Sequence, residues 1–414
     1  MGVEAASGEP ARAHAGGRGY APLGDIRVVD LTRVYSGPYC TFLLAMAGAD
    51  VIKVEPPTGD SLRNRRGPGG AALPFAMLNA NKRTVTLDLK DERGRGLLLR
   101  LLANADVLVE NFRPGVMDRL GLSRDALRAR FPRLIYARAT GYGSDGPYRD
   151  YPAMDLTMQA FAGVMDSTGF ADRPPVKAGV AVVDFLAGAH LYGAVVTALL
   201  ERERAGRALA AEVAMLDSTY LSLASSLGLA MRAGDAFVPR TGNRHSGLSV
   251  CPYNVYPAAD GYVAIICNSN TNWQTLVKVL ERDDLGADPR FATMAGRLAH
   301  MDEIDAEIAR ETRKHGRDAL FTLLNGAGAI CGAVRTLREV ISDPLLHRSG
   351  LLTEIEHPEY GRLVVARSAL RFSDQPDFVY QPSHALGADN DAVFGGELGL
   401  GDEELCALRK AGVI

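Results

Sequence analysis

The 414-residue chain has few cysteines, and none of the five (Cys40, Cys251, Cys267, Cys331 and Cys406) forms a Cys-x-x-Cys pair. Scattered and odd in number, they argue against a disulfide framework and a thiolate zinc site, and for buried thiols in a reducing compartment. The eight histidines offer no His-Glu-x-x-His spacing, which excludes that class of metal centre. The turn after the first strand is not Gly-x-Gly-x-x-Gly, and no Gly-x4-Gly-Lys-Ser/Thr occurs. Dinucleotide and P-loop readings therefore lack their signals. No uninterrupted apolar run reaches the ~18–20 residues that a bilayer span needs. A formal net charge of −3 argues against a nucleic-acid surface or a polybasic membrane anchor.

What is present is an ordinary globular composition, 47% apolar and 23% charged, long enough for two or three domains. Residues 1–22 are rich in Gly, Ala and Pro and read as a disordered tail. Glu4 and Glu9 count against a transit peptide, and Ala6 against a myristoylation signal. The expected location is the cytoplasm.

Strands and helices then alternate. "DIRVVDL" (25–31) reads as a strand, "PYCTFLLAMAGA" (38–49) as a helix and "DVIKVE" (50–55) as a strand. "RTVTLDL", "DERGRGLLLRLLANA" and "DVLVENF" repeat the pattern over 83–112, and "RLIYARATGYG" (133–143) runs a further strand into a glycine-rich loop. This alternation predicts a doubly wound parallel α/β domain. "VKAGVAVVD" (176–184) reads as a strand feeding a long apolar helix, and "AAEVAML" (210–216) as a strand. Near residue 231 the pattern changes. "RTGNRHSGLSV" has little periodicity, "YNVYPAADGYVAIIC" (253–267) is a hairpin with an Asp-Gly turn, and 271–340 is helical. A second hairpin over 351–373 and a closing helix follow. The expected organisation is a tail (1–22), a large domain (23–230), a linker with a small α+β domain (231–340), and a return to the large domain (341–414).

Ligands of open α/β sheets sit beyond the carboxyl ends of the strands. Here those ends supply Val34, Tyr35, Ser36, Asn111, Phe112, Arg113 and, on the next helix, Arg119. Basic groups suit phosphates and aromatic rings suit a flat base, so a bulky adenine nucleotide other than NAD fits. Arg119 also fits a plain solvated helix position. One acid, Asp184, stands alone in the apolar stretch "VKAGVAVVDFLAGAH". It reads either as a helix N-cap, for which Asp is among the best residues, or as a nucleophile.

Five stretches together resemble one family: "DLTRVYSGPYCTFLLAMAGADVIKVEPPTGD", "LNANKRTVTLDLK", "DVLVENFRPGVMDRLGL", "GYGSDGPY" and "AGVAVVDFLAGAHLYGAVVTALLERERAGR". They are similar to the family III CoA transferases, which include formyl-CoA transferase, carnitine-pathway CoA transferases and the α-methylacyl-CoA racemases. The resemblance is strong over 25–230 and looser beyond. It implies an α/β fold with a Rossmann-like large domain and a smaller α+β domain, in an interlocked, ring-shaped homodimer. It implies an acyl-CoA donor and a carboxylic acid acceptor, with no metal and no cofactor other than the CoA thioester that arrives as substrate. Asp184 matches the nucleophile, which would pass through an aspartyl anhydride and an aspartyl-CoA thioester. Val34, Tyr35, Ser36, Leu87, Lys90, Asn111, Phe112, Arg119, Leu120 and Met215 match positions around CoA, with Lys90 and Arg119 as phosphate partners.

Two departures matter. Where formyl-CoA transferase carries glutamine in the first loop, this chain has Tyr35. The family's mobile glycine loop corresponds to "TGNRHSGLSV" (241–250), whose Arg244 and His245 would suit an acceptor carboxylate, hence the expectation of a small polar or dicarboxylic acid. A racemase would need a His-Asp pair some 30 residues before the nucleophile. The equivalent pair here is Met154-Asp155, and methionine moves no proton. A racemase and a non-catalytic acyl-CoA-binding dimer are the alternatives.

Overall fold

The computed structural model describes residues 21–64, 72–371 and 379–414. The expected tail over 1–22 lies outside them except for its last two residues. Two compact units emerge. One comprises the chain through Asp155, Val182–Ser218 and Pro344–Ile414; the other comprises Leu156–Ala181 and Thr219–Asp343.

The chain runs through β1 (Arg27–Asp30), α1 (Ser36–Met46), β2 (Asp50–Glu55), α2 (Ala72–Leu78), β3 (Arg83–Thr86), α3 (Glu92–Leu102) and β4 (Val107–Glu110). It continues through α4 (Val116–Arg119), α5 (Arg124–Arg130), β5 (Ile135–Thr140), α6 (Asp155–Phe161), α7 (Val182–Ala205), β6 (Ala211–Ala214) and α8 (Met215–Tyr220). The six strands form one parallel sheet in the order β3-β2-β1-β4-β5-β6. Their β-branched residues are buried on both faces, as a sheet covered on two sides requires. Strand order reverses between β1 and β4, and the loops that leave those two strands flank the switch point.

Each face of the sheet has its own core. On one side α3 supplies Leu97, Leu98, Leu101 and Leu102, joined by Phe394, Leu405 and Leu408 from the end of the chain. These α3 residues recur at helical spacing, and Asp91 caps the helix by accepting the Arg93 N–H. On the other side α1 and α7 pack Cys40, Leu44, Leu191 and Val195 against the strands. α7 is long and apolar enough, by length and composition, to cross a membrane. It lies against α1, β5 and β6. The returning segment closes the sheet edge: Asp389 and Asn390 accept the N–H groups of Thr84 and Thr86 on β3, at 2.6 and 2.9 Å. An edge strand so bonded offers no template to another chain.

One expected strand is absent. Residues 176–181 adopt no regular structure, and the helix begins at Val182, so Asp184 lies inside its first turn.

In the second unit, β7 (Tyr253–Ala258) and β8 (Gly261–Ile266) form the expected hairpin with Asp260-Gly261 in its turn. A further strand, β9 (Ile330–Ala333), completes a three-stranded antiparallel sheet. Trp273, Leu276, Phe291, Ile304, Ile308 and Leu320 fill the core. The helix α9 (Ala224–Ala233) precedes this sheet and buries none of its residues.

Candidate active site

Asp184 does not cap α7. The N–H groups of Val183 and Asp184 donate instead to Oδ1 of Asp155, at 2.9 and 3.3 Å. Asp155 thus does the capping from far upstream in the chain. The Asp184 carboxylate lies beside Ser36 of α1, whose polar groups favour its ionised form. Ser36 is the first residue of α1, so the carboxylate also meets the positive end of that helix.

The loop before α1 is held from several sides. Val34 has φ +67°, a left-handed conformation that is a true outlier for a β-branched residue and marks local strain. Across the switch point the Asn111 amide brackets Arg33, accepting its N–H and donating to its carbonyl, both at 2.8 Å. Gly37 lets the loop turn tightly, since a Cβ there would come within 2.4 Å of Thr32. Beneath the loop, buried Lys82 donates to Asp30 (3.1 Å), Thr41 (2.7 Å), Asn79 (3.0 Å) and the Pro38 carbonyl (3.1 Å). Lys53 donates to the Thr32 carbonyl at 2.8 Å and sits 3.5 Å from Asp60.

The electrostatics separate the carboxylates. Burial, and then the Asp155 charge, push Asp184 up to about 7, against the lowering effect of Ser36. Burial also works to raise Asp30, but Lys82, Lys53 and two threonine hydroxyls outweigh it and hold the group below its ordinary value. Lys82 is itself lowered to about 8, chiefly by burial.

The structure brings some expected residues together and leaves others apart. Ser36 acts on Asp184, and the ring of Tyr35, before it in the loop, lies 6.2 Å from that of Phe185, the residue after Asp184. Asn111 and Phe112 stand across the switch point, with the Arg33 guanidinium 5.1 Å over the Phe112 ring. Phe112 and Leu120 are partly buried against the core. Leu87 is 1% exposed and its side chain packs into the core. Met215 is buried at the junction of β6 and α8. Lys90 and Arg119 are exposed after β3 and at the end of α4. Beside the β4 loop lies a cavity of about 570 Å³, lined by Glu110, Phe112, Arg113, Tyr136 and Arg138 among others.

Arg244 and His245 belong to the second unit. Arg244 is already engaged by two carboxylates, Asp305 at 2.8 Å and Asp302 at 2.5 Å, so an acceptor acid would have to compete with them. His245 accepts the Gly247 N–H at 3.1 Å and meets the Tyr253 ring edge-on. Among the described residues no cluster of His, Cys, Asp and Glu is arranged to hold a metal.

Sequence reasoning missed Gly188, which lets α1 and α7 touch. A Cβ on it would stand 2.4 Å from the Ser36 carbonyl oxygen. Its place one turn after Asp184 was the available signal.

Residues 23–390 match the profile of CoA-transferase family III. A formyl-CoA:oxalate CoA-transferase of Streptomyces avermitilis is 38% identical over 409 residues, covering 95% of this chain and 99% of that protein. A succinyl-CoA–D-citramalate CoA-transferase of Chloroflexus aurantiacus is 34% identical over 397 residues, 95% of this chain and 98% of the relative. Among solved structures, a hypothetical protein of Mycobacterium tuberculosis superposes with a TM-score of 0.80 at 33% identity, covering 91% of this chain and all of that one. A CaiB/BaiF family protein of Brucella suis superposes at 0.79 with 34% identity, covering 91% and 99%.

Proposed function

The chain belongs to CoA-transferase family III and is a CoA transferase, and from that premise we propose that it moves CoA between carboxylic acids through covalent intermediates on Asp184. The observation that carries the reading is the carboxylate itself: buried, relieved of capping by Asp155 and placed beside Ser36 at the start of α1.

One Asp184 oxygen attacks the thioester carbonyl of the donor. The C–S bond breaks, CoA leaves as thiolate and a mixed anhydride remains. The thiolate then attacks the aspartyl carbonyl, which expels the donor acid and leaves an aspartyl-CoA thioester. The acceptor carboxylate attacks that thioester and releases CoA thiolate, which attacks the acceptor side of the new anhydride. Acceptor-CoA departs and the Asp184 carboxylate is restored. A carboxylate suits each step because it is both nucleophile and leaving group.

CoA would lie across the switch point, with Val34, Tyr35 and Ser36 at the thioester. Asn111, Phe112, Leu120, Met215 and the Leu87 backbone would line the rest, and Lys90 and Arg119 would meet the phosphates. Oxalate and D-citramalate, the acceptors in the relatives' names, make a small dicarboxylic acid the first acceptor to test and succinyl-CoA the first donor. A homodimer is supported by apolar surface that a single chain leaves uncovered: Leu221 is 79% and Met231 76% exposed. Five free thiols, four of them buried, support the cytoplasm as the location.

Intact-protein mass spectrometry after incubation with succinyl-CoA and a panel of acyl-CoAs, with a hydroxylamine step, tests the reading. The expected result is a CoA-sized adduct that maps to Asp184 and is discharged by one carboxylic acid. Deuterium washing into the acyl α-carbon without an adduct would point to a racemase, and neither result to binding alone.

A further inference from the structure

The group that favours the ionised Asp184 carboxylate, Ser36, stands on another helix. The first two free N–H groups of α7 that could serve it, those of Val183 and Asp184 itself, are spent on Asp155. The carboxylate therefore depends on Ser36 for donors, and Ser36 must be brought close. We propose that Ser36 and Gly188 work as a pair on the nucleophile: Gly188 lets the first turn of α1 seat against α7, and Ser36, so seated, holds the Asp184 oxygens through its hydroxyl and its N–H. The pair rests on the reading of Asp184 as the nucleophile and adds to it how that carboxylate is kept competent.

The spacing is the first argument. Gly188 is four residues after Asp184, so both lie on one face of α7. A Cβ at Gly188 would be 2.4 Å from the Ser36 carbonyl oxygen, and 3.0 and 3.1 Å from Cδ1 and Cβ of Tyr39. Real contacts of that kind are not made below 3.0 Å, so the first turn of α1 has to retreat. The atom in the way belongs to Ser36, and its retreat carries the donor with it. Glycine weakens a helix interior, so this one is kept at a cost. Gly193, five residues further along α7, has nothing within 4 Å of its Cβ position. The two glycines differ in what they touch, not in the helix they occupy.

Charge is the second argument. The charged group acting on the carboxylate is Asp155, at the start of α6. The His190 Nδ1 is turned to the Leu186 carbonyl at 2.8 Å. No cation figures among the groups acting on Asp184. With a like charge nearby and the group buried, Ser36 is what favours the ionised, nucleophilic form. The same donors have a later use. When CoA thiolate attacks the aspartyl carbonyl, negative charge collects on an oxygen to which Ser36, so seated, would donate. Removing one donor of this kind costs about 100-fold or more in rate.

The test is the rate of adduct formation on the full chain under single-turnover conditions with succinyl-CoA, from pH 5.5 to 9. It is read by intact mass for the wild type, Ser36→Ala, Gly188→Ala and Gly193→Ala. The wild-type rate should rise with pH and level off above about 7, where Asp184 ionises. Ser36→Ala should slow the plateau by about 100-fold and Gly188→Ala by about tenfold. Both should move the rising limb to higher pH, while Gly193→Ala follows the wild type and the KM for acyl-CoA stays within about threefold throughout. Variants slowed equally at every pH with the limb unmoved, or not slowed at all, overturn the pair. Should Gly188→Ala fail to fold by circular dichroism, the Ser36→Ala limb decides alone. A wild type that forms no adduct on Asp184 sinks the nucleophile reading itself, a result distinct from unmoved variants.

Discussion

Two aspartates bury themselves against the same helix and meet opposite surroundings. Asp30, at the end of β1, is wholly buried and accepts from the Thr32 N–H (2.8 Å), the Thr41 hydroxyl (2.6 Å) and Lys82 (3.1 Å). Asp184 is 7% exposed, is eased by Ser36 and feels the charge of Asp155. Burial presses both upward. A paired lysine reverses that for Asp30, and a second carboxylate adds to it for Asp184. One acid is therefore a fixed strut under the β1–α1 loop. The other is a charge kept at a cost, which is where a reactive group is expected.

The comparison breaks most sharply on substitution. Asp184→Asn should lower turnover by about a thousandfold or more, yet raise the thermal midpoint. The sign follows from proton uptake. The unfolded group titrates near 3.8 and the folded one near 7, so the folded chain holds the extra proton in between and stability falls as pH rises through that window. The midpoint gain of Asp184→Asn should thus be absent at pH 4 and complete at pH 8, which differential scanning calorimetry at the two pH values checks. Asp30→Asn should do the reverse. It leaves Lys82 buried without its counter-charge, a loss of about 3–5 kcal/mol, visible as a lower denaturation midpoint at pH 7. Equal behaviour of the two variants would erase the distinction.

Asp155 sharpens the same contrast from the other side. Asp155→Asn keeps an oxygen to cap Val183 and Asp184 but removes the charge that faces the nucleophile. The acid limb of adduct formation should move down by about half a pH unit, with α7 still folded by far-ultraviolet circular dichroism. An unmoved limb would assign the raised Asp184 to burial alone.

Much of this arrangement was legible in the chain. The alternation of β-branched runs with helical stretches implied the parallel sheet, because strands covered on both faces must be apolar throughout. "DVIKVE" is a strand over the residues expected. "VKAGVAVVD" misled for a physical reason. Its β-branched residues read as a strand, but the helix starts at Val182 because Asp155, far upstream, satisfies its first N–H groups. Likewise β9 hid in a helical stretch, since a four-residue strand takes its identity from the partner β8. Ser36 and Asp184 each stood out within a motif. Their contact did not, because it depends on Gly188 and on how α1 lies across α7, which no local pattern encodes.

The smallest effects belong to charges left in water. Lys90 and Arg119 are exposed, and neither forms an ion pair among those described. A cation that meets CoA phosphates at the surface acts through a screened field, and its loss weakens ground state and transition state alike. Lys90→Ala and Arg119→Ala should therefore raise the KM for acyl-CoA by about three- to tenfold with kcat nearly unchanged. The ratio to wild type should shrink as salt rises, because the wild-type advantage is itself electrostatic. Steady-state kinetics at two ionic strengths measures both. A fall in kcat with KM constant would mean that these residues act on the reacting atoms, and would move them from the surface class to that of Asp184.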